Sequence, residues 1–205
     1  MILHPRAQGI DVSAIGQGHF DWETWEGHID FAIIKATEDF HFVDPQFSRN
    51  WTIAREMGIE RLAYHYGHPD TDPSKQARLF TDVLKAHGDE NVGMVLDIEN
   101  ADGMKPAHVA FWCKVFELEC DRMTPGRKPK RAVITYTFPE FALEGNVAMQ
   151  GDSPLWIAQP DKPEPEVPRP WHHWAFWQYA YGSKGGPNRN VFNGTVQDLH
   201  KFLRG

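Results

Sequence analysis

Short apolar runs alternate with amphipathic helical patterns through the first two thirds of the chain, and this alternation constrains the fold more than any other feature. The pattern predicts strands at residues 9–13, 31–36, 61–66, 92–98 and 131–136. It predicts helices over about 44–57, 72–88 and 106–122. The first two helices each start at an Asp-Pro pair, Asp44-Pro45 and Asp72-Pro73, in which Asp suits a helix cap and Pro suits the first turn. Such alternation is typical of an α/β fold with a parallel sheet.

After Tyr136 the pattern loosens. Two more strands are predicted at 155–158 and 174–179, and a last helix at about 196–203. Five prolines occupy the segment 159–170. Too little chain follows this segment to build a second domain, so we interpret it as a rigid surface loop and expect one domain over residues 1–205. With 41% apolar residues in 205, the chain can fill one such core.

Charge and segment composition exclude several partners. Lys and Arg number 21 against 28 Asp and Glu, giving a net charge of −7, which does not suit nucleic-acid binding. No apolar run approaches the roughly 18 residues of a membrane helix, so we expect no membrane insertion. The first eight residues have no apolar signal-peptide core, which predicts synthesis in the cytoplasm. Cys113 and Cys120 lie about two helical turns apart, too far for a disulfide, and are expected to be reduced thiols.

Two acids end the fourth predicted strand. In Val95-Leu96-Asp97-Ile98-Glu99, the acidic side chains are two residues apart and should point to the same side, about 6.5–7 Å apart along the strand. The carboxyl ends of barrel strands are where α/β barrel enzymes place their active sites. Repulsion and partial burial can keep one acid of such a pair protonated near neutral pH, as a general acid requires.

Polar residues also end or interrupt the other predicted strands. If these strands are parallel neighbours, one rim of the sheet collects Asp11, Glu38, Tyr64, Asp97, Glu99 and Tyr136. Each residue alone could be a structural polar group, but acids and tyrosines together favour a carbohydrate-cleaving cleft. The eleven histidines do not have the spacing of metal ligands, and neither a serine nucleophile elbow nor a Gly-rich phosphate loop occurs. No metal or cofactor is therefore predicted.

Several ordered motifs together resemble glycoside hydrolase family 25, the Chalaropsis-type lysozymes found among phage endolysins and bacterial autolysins. The resemblance covers nearly the whole chain. It is carried by the segments 9–13, 20–22, 31–38, 44–47, 63–66, 96–99, 154–158, 174–179 and 190–194. Among them Leu96-Asp97-Ile98-Glu99 is similar to the Asp-any-Glu signature of the family.

The resemblance implies an irregular TIM-like barrel of eight strands with about five helices. It also implies cleavage of the β-1,4 bond between N-acetylmuramic acid and N-acetylglucosamine in peptidoglycan, by a monomer. In that reaction Glu99 would be the general acid, Asp97 would orient the acetamido group or stabilise the cationic intermediate, and Asp11 would hold the reacting sugar. The residues expected to contact substrate are Glu38, Tyr64, Tyr136, Trp156, Gln178 and Asn188.

The chain departs from the family pattern at two positions. Asn188, after Pro187, stands where the family usually has the Asp of a Val-Asp pair, and Asp39 replaces a glycine. The first change leaves two alternatives open: a catalytically weak peptidoglycan-binding module, or a hydrolase of another amino-sugar polymer such as chitin. Without a signal peptide, an endolysin that accumulates in the host cytoplasm and then acts on the wall is expected, although a domain of a longer chain fits equally well.

Overall fold

Eight strands close into a mixed barrel in the computed structural model, which describes residues 5–89, 92–125, 133–183 and 185–204. In chain order the strands are β1 (Gln8–Val12), β2 (Phe31–Glu38), β3 (Phe42–Val43), β4 (Glu60–Tyr66), β5 (Gly93–Asp97), β6 (Ile134–Thr137), β7 (Leu155–Ala158), β8 (Phe176–Ala180) and β9 (Asn188–Phe192). Around the barrel the order is β1-β2-β4-β5-β6-β7-β8-β9, and β9 returns to β1. The short β3 pairs with the end of β2. The predicted eight-stranded α/β barrel is confirmed.

Strand direction decides which residues meet at the rim. The strands from β1 to β8 around the barrel are parallel, whereas β9 runs antiparallel to both β8 and β1. The rim that carries the carboxyl ends of the parallel strands therefore also carries the amino end of β9. This places Asn188 directly opposite Asp11 in the register of β1 and β9.

Six helices are present in the described part of the chain, against about five expected. They are α1 (Ala14–Gln17), α2 (Phe47–Glu56), α3 (Pro73–Ala86), α4 (Pro106–Met123), α5 (Pro139–Leu143) and α6 (Val196–Arg204). A 3₁₀ turn at Glu23–Trp25 adds to these. The short helices α1 and α5 were not predicted. None of the described helices has the length and apolarity to cross a membrane.

The two Asp-Pro pairs behave differently. Asp72 caps α3 as predicted, because its carboxylate accepts the backbone N–H groups of Ser74 and Lys75 and Pro73 occupies the first turn. The prediction for Asp44 is wrong by two residues, since α2 begins at Phe47. Asp44 instead accepts the N–H of Gln46 at 2.8 Å and that of Ala14 at 2.9 Å, so it ties the start of α1 to the turn before α2.

Two apolar layers pack on the sheet. Side chains that alternate along each strand point either into the barrel, as Phe31 and Ile33 do, or outward against the helices, as Ile34 does. Trp51 and Trp112 are buried in the outer layer. Cys113 and Cys120 are also buried there and form no disulfide, as expected.

Two further segments can be compared with the prediction, and one of them differs from it. The proline-rich segment connects β7 to β8, which pair with each other in the same sheet, so it is a surface loop as interpreted. The strand predicted at 131–136 begins at Ile134, and residues 131–132 lie outside the described residues.

Candidate active site

A pocket of about 320 Å³ opens at the carboxyl-end rim of the barrel. Eight of the nine residues predicted for the site line it, and Glu38 is the exception. We call it the acid pocket. Its lining residues are Asp11, Ser13, Gly16, Gln17, Tyr64, Asp97, Glu99, Tyr136, Trp156, Gln178, Gly182, Gly185, Gly186 and Asn188.

Three amides hold the Asp11 carboxylate on the wall of the acid pocket. One oxygen accepts hydrogen bonds from Gln178 and Asn190, both at 2.8 Å, and the other accepts one from Asn188 at 3.0 Å. Burial raises the pKa of Asp11, and the three hydrogen bonds offset part of that rise. The result is an oriented carboxylate whose geometry is fixed before any ligand arrives.

Asn190 is a site residue that the sequence did not predict. Besides its bond to Asp11, its carbonyl oxygen accepts the indole N–H of Trp156 at 2.9 Å. It therefore fixes a carboxylate and an aromatic ring of the pocket together. The available signal was its spacing of two from Asn188, which puts both amides on one face of a strand.

Two tyrosines supply neutral hydroxyl groups. The Tyr136 hydroxyl donates to the side-chain oxygen of Gln178 at 3.1 Å, which sets the orientation of that amide so that its NH₂ faces Asp11. The ring of Tyr136 packs against Trp156 with centroids 4.4 Å apart. Burial and then the charge of Asp97 raise the pKa values of Tyr64 and Tyr136 well above the usual tyrosine value, so both phenols stay protonated.

Asp97 and Glu99 form the acidic pair predicted at the end of β5. Asp97 is buried, and its Oδ1 has no hydrogen-bond partner among the described residues. Burial, then the charge of Glu99, raises the pKa of Asp97 well above its usual value. Glu99 is half-buried, and burial followed by the charge of Asp11 raises its pKa as well. A pair of this kind retains a proton at a pH where an isolated carboxyl group would have lost it.

Lys35 is a second group that the sequence did not single out. It interrupts the apolar strand β2, is only 5% exposed and lies with its Nζ 5.1 Å from the ring centroid of Tyr66. Its positive charge counteracts the rise in the pKa values of Asp97 and Glu99. A lysine within an otherwise apolar strand was the available signal.

Glu38 lies outside the acid pocket and balances this lysine. Its carboxylate is 2.6 Å from Lys35 Nζ and 3.1 Å from His68 Nε2. Burial alone would raise the pKa of Glu38, but the hydrogen bonds from Lys35 and His68 outweigh it and lower the pKa. The structure thus gathers the other predicted residues and leaves Glu38 in a neighbouring ion-pair chain.

The histidines near the site have structural partners. His65 is buried between the Thr37 hydroxyl and Gln76, each at 2.8 Å, and burial lowers its pKa to about 4, so it is neutral. His68, Asp70 and Asp102 place ligand atoms within 4.8 Å of one another, a grouping that a metal ion could use. Both ring nitrogens of His68, however, already face the carboxylates of Glu38 and Asp102 at 3.1 Å.

Asp39 shows how the chain tolerates its departure from glycine. Its backbone has φ +51, a left-handed conformation that favours glycine. The carboxylate accepts a hydrogen bond from the Thr71 hydroxyl at 2.6 Å, which anchors the turn. Asp is among the side chains that adopt this conformation most readily.

A second pocket, of about 580 Å³, adjoins the acid pocket. The two share Glu99 and Tyr136 as lining residues, so Glu99 stands at their junction. The lining residues of the second pocket are Glu99, Tyr136, Phe138, Glu140, Ala158, Gln159, Pro160, Lys162, Glu166 and Tyr181.

Comparison with known proteins gives one consistent answer. The profile of glycosyl hydrolases family 25 matches residues 10–185. The uncharacterized protein YegX of Escherichia coli K12 is 35% identical, over 96% of this chain and 73% of its own length. Lysozyme M1 of Streptomyces globisporus is 32% identical, over 94% of this chain and 69% of its own. The crystal structure of a lysozyme from Streptomyces coelicolor superposes with a TM-score of 0.82 at 30% identity, covering 97% of both chains.

Proposed function

Because the chain belongs to glycosyl hydrolases family 25 and is a glycoside hydrolase, we propose that its reaction is the hydrolysis of the β-1,4 bond between N-acetylmuramic acid and N-acetylglucosamine in peptidoglycan. The observation that carries the proposal is the acidic pair Asp97 and Glu99 at the end of β5, which lines one pocket together with the amide-held Asp11. The name of Lysozyme M1 supports the choice of substrate.

Glu99 is the proton donor in this proposal. Its raised pKa keeps a proton available at a pH where an exposed glutamate would be ionised. Unlike Asp97, it lines both pockets, so a glycosidic oxygen that bridges two sugars would lie beside it. The proposed mechanism requires that, in the reactive form, the single proton of the pair resides on Glu99 and Asp97 is ionised, with the positive charge of Lys35 stabilising the negative charge of the pair.

Asp97 and Asp11 act on the sugar in the acid pocket. As Glu99 protonates the leaving oxygen, the C1–O bond breaks and positive charge develops at C1, which fixed carboxylates stabilise. The acetamido oxygen of the same sugar forms a bond to C1 while Asp97 accepts a hydrogen bond from the acetamido N–H. Water then attacks C1, gives its proton to the Glu99 carboxylate and releases the acetamido oxygen.

Analysis of the product ends tests which bond is cut. Digested peptidoglycan is reduced with borohydride and the fragments are identified by mass spectrometry, with heat-inactivated protein as the control. We expect reduced N-acetylmuramic acid at the new ends. Reduced N-acetylglucosamine at those ends, or faster cleavage of chitin oligosaccharides than of peptidoglycan, would refute the assignment of the substrate.

A further inference from the structure

The proline-rich loop between β7 and β8 builds one wall of the second pocket. Gln159, Pro160, Lys162 and Glu166 all come from this part of the chain. Other lining residues come from the segment that enters α5, together with Tyr181, which follows β8. The loop therefore bounds a space that opens directly beside Glu99.

Gln159 fixes this wall relative to the acid pocket. Its side-chain oxygen accepts the backbone N–H of Glu166 at 2.7 Å, and its backbone oxygen accepts the indole N–H of Trp177 at 2.9 Å. Its own N–H donates at 3.2 Å to the backbone oxygen of Gln178, whose side chain holds Asp11. The loop's five prolines restrict the backbone φ angles, so the loop is preorganised for binding.

The charges distinguish the roles of the two pockets. The acid pocket has the buried carboxylates Asp11 and Asp97, so the sugar that becomes positively charged belongs there. The second pocket has, apart from the shared Glu99, only the exposed acids Glu140 and Glu166. Since Glu99 protonates the oxygen at the junction, the sugar that leaves must extend into the second pocket.

The second pocket offers two kinds of contact to that leaving half. Tyr181 is 65% exposed and presents a ring on which the apolar face of a sugar can stack. Lys162 Nζ lies 3.3 Å from Glu166 Oε1, with side-chain exposures of 47% and 71%. An exposed ion pair of this kind contributes little, so a ligand carboxylate can replace Glu166 at small cost.

We infer that the second pocket binds the leaving half of the glycan, with a sugar on Tyr181 and a carboxylate of that half, from its lactyl or peptide substituent, on Lys162. The inference rests on the proposed function, because it takes Glu99 as the proton donor. It makes the proline-rich loop a determinant of substrate specificity.

Cleavage of glycan oligomers labelled at the reducing end tests the placement of the leaving half. In Tyr181→Ala the loss of one stacking contact should reduce kcat/KM about tenfold. The cleaved bond should also lie nearer the labelled end, which gives shorter labelled fragments. The reason is that binding modes with fewer sugars in the second pocket become a larger fraction of the productive complexes. A shift away from the label, or an unchanged pattern and rate, would overturn the placement.

Salt dependence tests the role of Lys162. Lys162→Ala should raise KM about threefold or more at low salt and much less at high salt, because screening weakens an exposed charge contact. Lys162→Arg should retain the wild-type KM, and Lys85→Ala, on the exposed side of α3, is the matched control. Peptide removal by an amidase separates the two sources, because the lactyl carboxyl is in an amide bond on intact strands and becomes a free carboxylate only when the amidase breaks that bond. An effect on intact strands that is lost on stripped ones indicates a peptide carboxylate, and an effect that appears only on stripped strands indicates the lactyl carboxylate.

The outcomes also separate this inference from the proposed function. If the wild-type protein does not cleave peptidoglycan, the proposed function fails and the inference with it. If the wild type cleaves but Lys162→Ala behaves as Lys85→Ala does on both kinds of strand, the carboxylate contact alone is refuted.

Discussion

At the scale of single residues, Asn188 shows how a neutral side chain suits the Asp11 site. Its NH₂ donates to Asp11 at 3.0 Å, while its oxygen accepts the N–H of Gly182 at 3.0 Å. A carboxylate at this position could keep the second bond but not the first. It would also add a negative charge next to Asp11, whose pKa burial already raises.

Asn188→Asp should therefore reduce activity, and the reduction should be largest at acid pH. Losing a hydrogen bond to a charged group costs about 1.5–3 kcal/mol, which corresponds to a drop of about tenfold or more. The like charge raises the pKa of Asp11 further, so the acid limb of the pH–activity curve moves to higher pH. Rates of peptidoglycan lysis measured across pH test this.

Asn188→Ala provides the control for the added charge. It removes the donor without adding a carboxylate, so its acid limb should move less than that of Asn188→Asp. An Asp variant that is more active than the wild type, with its acid limb unmoved, would show that the family's usual carboxylate is the better residue here.

Local pattern predicted some site residues and not others for a physical reason. Asp97 and Glu99 could be found because a period of two and an apolar strand before them are local features. Asn190 acts on Asp11 only because β9 runs antiparallel to β1, which no local pattern encodes. Lys35 and Glu38 are three residues apart on β2, a spacing that puts side chains on opposite faces of a regular strand. They pair directly in the structure, where the register of β2 against β4 shifts between Lys35 and Thr37, an irregularity that the sequence does not show.

At the scale of elements, the length of a helix or strand and the role of its capping residue decided whether the sequence predicted it correctly. The long helices α3 and α4 and the buried strands β2, β4 and β5 have enough periodic residues to be recognised. The four residues of α1 and the five of α5 make too few turns to show a period. The start of α2 was misplaced because Asp44 is used in a tertiary contact with Ala14 instead of as a helix cap.

At the scale of the whole molecule, closing the barrel concentrates acids at one rim. Part of the net charge of −7 is thus located where burial raises the pKa values of Asp11, Asp97 and Glu99. A carboxyl group with a raised pKa in the folded state binds more protons there than in the unfolded chain. Its contribution to stability is therefore lost as pH rises from the unfolded pKa to the folded one.

Asp97→Asn should accordingly stabilise the protein at neutral pH while impairing catalysis. In the wild type at pH 7, burial of the Asp97 carboxyl group destabilises the folded state. The asparagine amide removes this effect, so the free energy of unfolding should rise by about 1 kcal/mol. Near the usual pKa of 3.8 the wild-type group is protonated in the fold, and the difference should shrink. Urea unfolding of both proteins at pH 4 and pH 7 measures it, and an equal or larger difference at pH 4 would contradict the assigned ionisation.

The central claim is that Glu99 delivers the proton that breaks the glycosidic bond. The direct measurement is the rate at which Glu99→Gln releases reducing ends from peptidoglycan, with Glu56→Gln at the exposed end of α2 as the matched control. Thermal unfolding confirms that each variant is folded. The account predicts a loss of about 10²–10⁴-fold for Glu99→Gln and none for the control. A folded Glu99→Gln protein that releases reducing ends at the wild-type rate would contradict it.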